Sequence, residues 1–134
     1  MPKLRHLALA TKDPEKTAEF YKTAFGFKEI RKVTSDIAHG YFLSDGTLNI
    51  AILNFTAYDQ LGKGLDYVGL HHFGIWVEDI ETMRRVIAAN GGKNHSGPTA
   101  HVPENAEHKF RDPYGIVFDI STHGWDGAKR VEEG

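Results

Sequence analysis

The sequence predicts an α+β fold of two tandem βαβββ modules. Each module is expected to carry a mixed four-stranded sheet with one helix on one face, leaving the other face to pack on or enclose something else. Two observations predict it. First, the chain repeats itself with an offset of 66 residues: His6, Asp13, Glu15 and Gly26 recur as His72, Asp79, Glu81 and Gly92. Second, in both copies an apolar alternating stretch runs into an acidic residue that begins a helical pattern.

The elements follow in order. Leu4 to Ala10 reads as a strand. Asp13-Pro14 starts a helix, with an acidic cap and proline at the first helical position. That helix runs to about Phe25, with Ala18, Tyr21 and Phe25 on one face and Gly26 as its stop. Strands are expected near 28–34, 37–43 and 47–54. Residues 55–69 hold three glycines and little pattern, and read as the linker. In the second copy Leu70 to Val77 is a strand and Asp79 caps a helix bearing Met83, Val86 and Ile87. That helix ends at Gly91-Gly92, and strands follow near 93–96, 107–111 and 115–121. Pro98 and Pro103 make 97–106 a loop. The chain therefore reads as one domain over 1–134. Module 1 spans about 3–54, module 2 about 70–122, and a loose polar tail covers about 123–134.

Composition narrows the function. With 16 basic and 18 acidic residues the net charge is −2. This gives no basic surface for nucleic acid and no polybasic stretch for a membrane. The opening ten residues lack the form of a secretory signal, and a cytoplasmic location is the expectation. There are eight histidines and no cysteine, so any metal must be held by imidazole and carboxylate.

Alternation along the strands supplies a candidate site. Leu7 and Leu9 share one face, and His6, Ala8 and Ala10 the other. Phe73, Ile75 and Val77 oppose His72, Gly74 and Trp76. Ile116, Phe118 and Ile120 oppose Val117 and Asp119. The bulky faces belong under the helices. His6, His72 and Asp119 are then left on an open concavity with small neighbours. Two imidazoles and a carboxylate with free positions beside them form a set for Fe, Mn, Ni, Co or Zn. Asn49 and Trp76 share these faces and are candidates to line the substrate pocket. His71 is expected on the opposite face from His72. His39, His101, His108 and His123 are less informative, and no residue stands out as the catalytic base.

The segments LRHLALATKDPEKTAEFYKTAFGFKEI, GLHHFGIWVEDIETMRRVIAANGG and FRDPYGIVFDIS resemble the vicinal oxygen chelate superfamily over roughly residues 3–122. That superfamily includes glyoxalases, extradiol dioxygenases and bleomycin resistance proteins. The resemblance implies paired βαβββ modules cupped around a divalent metal ion, a small-molecule substrate and a homodimer. By similarity the metal ligands fall on His6, His72 and Asp119. Asp119, after Asp112-Pro113-Tyr114-Gly115, replaces the usual glutamate and is one methylene shorter. The leading functional expectation is a metal-dependent glyoxalase-type lyase or isomerase acting on a substrate with neighbouring oxygens. An extradiol-type dioxygenase and a non-catalytic small-molecule binding protein are the alternatives.

Overall fold

A computed structural model describes residues 1–57, 63–95 and 107–130. Part of the expected linker, the proline-bearing loop with His101, and the last four residues lie outside the described residues. Among the described residues ten elements run in the expected order. Module 1 is β1 (Lys3–Ala10), α1 (Pro14–Phe25), β2 (Lys28–Thr34), β3 (Ala38–Ser44) and β4 (Asn49–Phe55). Module 2 is β5 (Gly69–Trp76), α2 (Ile80–Ala89), β6 (Lys93–Asn94), β7 (His108–Arg111) and β8 (Val117–Ser121).

Among the described residues the strands form one eight-stranded mixed sheet, in the order β2-β3-β4-β1-β5-β8-β7-β6. Each module supplies four neighbouring strands, and β1 joins β5 antiparallel at the centre. This seam determines the site. His6 lies opposite Gly74 and Ala8 opposite His72, so the first strands of both modules lay their histidines side by side.

The helices form where the sequence caps them. Asp13 accepts from the Lys16 N–H at 3.0 Å, and Pro14 occupies the first turn. Gly26 takes the left-handed conformation at φ 75° and returns its N–H to Lys22. Ala18 and Tyr21 pack on Leu43, Ile50 and Ile52, with Leu9 beside them. Phe25 differs from the expected pattern: it is 63% exposed, and its ring lies against Phe20, Tyr21 and Phe27 rather than on the sheet. Ile80, Met83 and Ile87 of α2 pack on Val77, Phe110 and Ile120, whereas Val86 is 45% exposed. The bulky strand faces thus lie under the helices, and the histidine-bearing face lies opposite.

The cap of α2 gives a first test. Asp79 accepts from the Thr82 N–H at 2.9 Å and from its hydroxyl. These hydrogen bonds, led by the one to the Thr82 side chain, hold the Asp79 carboxyl below its usual range. A depressed folded-state value stabilises the fold above the unfolded value and ceases to do so as pH falls through the folded one. Asp79→Ala is expected to lower the urea midpoint at neutral pH with an unchanged slope. The gap to the parent protein should close on acidification; a gap that is constant with pH would contradict the cap's role.

Candidate metal centre

The central strands bring one ligand-type atom each from His6, His72, Asp119 and Glu107 within 4.8 Å of one another. His6 Nε2 stands 3.2 Å from His72 Nε2. His72 Nε2 stands 3.2 Å from Asp119 Oδ2, and Glu107 Oε2 lies 3.9 Å from His6 Nε2. His6 and Asp119 are buried, at 3% and 0% exposure. Glu107, just before β7, is the open member. Sequence reasoning missed it because it sits at the edge of an unpatterned loop.

Hydrogen bonds outside the cluster set which nitrogens face it. The Asn49 amide Nδ2 donates to the Asp126 carbonyl at 2.8 Å. That fixes the amide orientation, so Asn49 Oδ1 is the atom 2.7 Å from His6 Nδ1. An oxygen acceptor there requires His6 to carry its proton on Nδ1, leaving the Nε2 lone pair towards the cluster. Burial, the leading cause, and the neighbouring His72 push the His6 pKa down to about 4, against the opposing pull of Glu107. His6 is therefore neutral near pH 7. His72 has a matching partner in His71, Nδ1 to Nδ1 at 2.9 Å. When His72 donates there, its Nε2 lone pair also faces the cluster.

His71 departs from expectation. The β1–β5 register slips between Ala8 and Leu9, where two residues of β5 answer one of β1. This irregularity releases His71 from strict alternation. It is 4% exposed, and its ring stacks on Phe55 at 4.5 Å beside His72 rather than lying on the helix side.

Asp119 has two distinct oxygens. Oδ1 accepts from Lys109 Nζ at 2.8 Å, across the β7–β8 pair. Oδ2 is buried and has no hydrogen-bond donor among the described residues. An orphaned carboxylate oxygen in a fully buried position is costly unless something positive completes it. A divalent ion fits. Ligand atoms bound to one ion at about 2.1 Å stand roughly 3.0–3.4 Å apart in octahedral or tetrahedral sites. Both 3.2 Å separations lie in that range. The shorter aspartate still reaches the cluster because β8 pairs directly with β5, Gly74 opposite Asp119.

Glu107 has its carboxyl pushed up from the ordinary range, first by desolvation and then by the neighbouring Asp119 carboxylate. It lines a cavity of about 170 Å³ together with His6, His72 and Lys109. The walls are apolar and come mainly from module 1, including Val33, Phe42, Leu53 and Phe55. The arrangement is a polar, metal-competent end on an apolar pocket, able to orient a small molecule.

The remaining candidates lie elsewhere. Asn49 is fully buried behind His6, with its amide committed to His6 and Asp126. Trp76 lines a different cavity and donates to the Thr122 carbonyl. The indole beside the cluster is Trp125, stacked on His6 at 5.1 Å and 2°. Gly74 makes room for it: a Cβ there would stand 2.6 Å from Trp125 Cζ2. Residues 123–130, read from sequence as a loose tail, are tied down. Lys129 N–H bonds Thr47, Ser44 bonds the Gly127 carbonyl, and Arg31 pairs with Asp126. His39 is exposed, and His108 is buried next to Arg84.

Tandem βαβββ units joined through a shared central seam define the vicinal oxygen chelate class of fold. The family model described as Glyoxalase/Bleomycin resistance protein/Dioxygenase superfamily matches residues 3–120, and the chain belongs to that family. A variant of the Streptomyces coelicolor methylmalonyl-CoA epimerase, in complex with 2-nitronate-propionyl-CoA, is 18% identical with a TM-score of 0.66. That match covers 88% of this chain and 94% of the epimerase. A methylmalonyl-CoA epimerase in complex with methylmalonyl-CoA and NH4+ is 17% identical with a TM-score of 0.69, covering 90% and 93%. A hypothetical protein from Bacillus halodurans is 18% identical with a TM-score of 0.70 and the same coverage. At these identities the likeness is one of fold. No curated protein matches the sequence. Among the described residues no helix is long and apolar enough to cross a membrane.

Proposed function

We propose that the protein is a metal-dependent isomerase or lyase acting on a small carbon acid that chelates a divalent ion through neighbouring oxygens. The observation that carries this reading is the cluster of His6, His72, Glu107 and Asp119 at the polar end of an apolar cavity. His6, His72 and Asp119 are the proposed ligands. A bound divalent ion would supply Lewis-acid polarisation of a substrate carbonyl.

The chain's own residues do the rest. Asn49 and His71 hold the two imidazoles with their Nε2 atoms towards the cluster. Phe42, Leu53 and Phe55 exclude water around the reacting carbon. Lys109 keeps Asp119 Oδ1 occupied, so that Oδ2 is the free ligand atom. Glu107, the open member and a cavity wall, takes the proton from the carbon beside the carbonyl and returns it. Return to a neighbouring atom isomerises the substrate; that carbon is inverted where the planar anion turns over in the cavity before Glu107 returns the proton to its other face. The fold neighbours named epimerases agree with this class of proton transfer.

The test is proton exchange. Incubation in D2O with a panel of carbon acids, methylmalonyl-CoA first among them, should give deuterium at the carbon beside the carbonyl. Chelation should stop the exchange and added metal restore it. Glu107→Gln is expected to keep its metal and lose about a hundredfold or more in exchange rate. Exchange that survives chelation, or a Glu107→Gln protein that loses the ion but exchanges when reloaded, would contradict these assignments. Absence of exchange across malonyl-type thioesters and 2-oxo acids would refute the proton-transfer reading.

A further inference from the structure

A second cavity lies across Trp125 from the cluster, and the residues around it are cationic. It measures about 380 Å³, and its walls include Arg5, His123, Lys129, Arg130, Trp76 and Trp125. None of its described lining residues is acidic, in a chain whose net charge is −2. Asp126, next to Trp125 in sequence, is turned to Arg31, with Nε to Oδ2 at 2.8 Å.

Arg5 is the unusual member. Its residue is 6% exposed, yet among the described residues no carboxylate pairs with it. Nε donates to the Lys129 carbonyl and Nη1 to the Leu4 carbonyl, both at 3.0 Å. Nη2 is buried with no acceptor among the described residues, as is the indole Nε1 of Trp125. A buried guanidinium that no carboxylate of the described residues pairs is disfavoured, and its field extends through low-dielectric surroundings into the adjoining cavity. The β1–β5 register slips at Arg5, between Leu4 and His6, which is how the strand departs from alternation there. Two orphaned buried donors, Arg5 Nη2 and Trp125 Nε1, and the half-buried Lys129 on one cavity wall form a built feature.

The geometry points to a second binding site, for a small oxyanion such as a phosphate or carboxylate group, held by Arg5 and Lys129 against Trp76 and Trp125, with the exposed Arg130 on the same wall. Charge-assisted hydrogen bonds to a guanidinium are the strong class, and planar forks suit both groups. The site is separate from the metal cluster and does not depend on the proposed reaction. It does adjoin the cluster, because Trp125 forms part of its wall and stacks on His6.

The protein reports on this site by itself. Its two tryptophans are Trp76 and Trp125, and both line the cavity. Tryptophan emission would be titrated with sodium phosphate, citrate and acetate, against sodium chloride at matched ionic strength. A saturable response to phosphate, to a carboxylate or to both is expected, and the pattern tells which oxyanion the site takes. Lys129→Gln, on the half-buried side of the cavity, should weaken the response about tenfold. Arg5→Met should abolish it; if that variant does not fold, the Lys129→Gln and Arg130→Gln pair carries the test. The response should persist in His72→Ala. No saturable response up to roughly 10 mM of any oxyanion, where binding would be weaker than about 3 kcal/mol, overturns the proposal. So does a response unchanged in the Lys129→Gln/Arg130→Gln protein, or one lost with His72→Ala, which would assign it to the cluster.

Discussion

His72→Ala is expected to abolish stoichiometric metal binding while leaving the fold in place. His72 joins the two modules at the cluster: its Nε2 is 3.2 Å from both His6 Nε2 and Asp119 Oδ2. Structural four-ligand ions are held by about 10–16 kcal/mol, so one ligand carries roughly 3 kcal/mol. The loss is therefore more than about a hundredfold in affinity. Circular dichroism should show the sheet retained, because the β1–β5 seam is made by the backbone and by apolar neighbours. A His72→Ala protein that binds metal as the parent does would remove His72 from the ligand set.

The second large effect is expected at Asn49. This side chain performs two tasks with its two ends. Oδ1 accepts from His6 Nδ1, and Nδ2 holds the Asp126 carbonyl of the C-terminal segment. Asn49→Ala leaves a buried N–H and a carbonyl unpaired, each costing about 1–3 kcal/mol. It also frees the His6 ring, and loss of such an orienting partner lowers metal affinity about 10–100-fold. Asn49→Asp separates the two tasks. It keeps the acceptor for His6 but places an oxygen against the Asp126 carbonyl, so it should retain metal and lose stability. Calorimetric metal titration beside urea unfolding checks both. Equal losses of affinity in the two variants would contradict the orienting role.

Much of this was legible in the chain. The offset of 66 residues, the caps at Asp13 and Asp79, and the period-two faces are local patterns, and local patterns specify elements and which side of a strand a residue takes. His6, His72 and Asp119 share a face for that reason, and pairing of the first strands brings the two copies together. The residues that escaped notice depend on long-range events. Trp125 reaches His6 because the last described segment turns back and bonds to Thr47, Ser44 and Arg5. A glycine-punctuated polar stretch carries no periodic signal of that return. The space left by Gly74 was visible as a small residue, but its occupant was not. Arg5 and His71 lie where the central register slips, and alternation fails at such slips by construction. Glu107 follows an unpatterned loop and had no period to place it. Trp76 was assigned by alternation alone, which fixes a face but not how far along the cup the residue lies.

One divalent ion is expected among His6, His72 and Asp119. Crystals grown with Co(II) or Mn(II), measured at the absorption edge of the metal, test it most directly. An anomalous peak within about 2.0–2.3 Å of His6 Nε2, His72 Nε2 and the Asp119 carboxylate is expected. An empty cluster at saturating metal, or a peak only elsewhere on the chain, would contradict it.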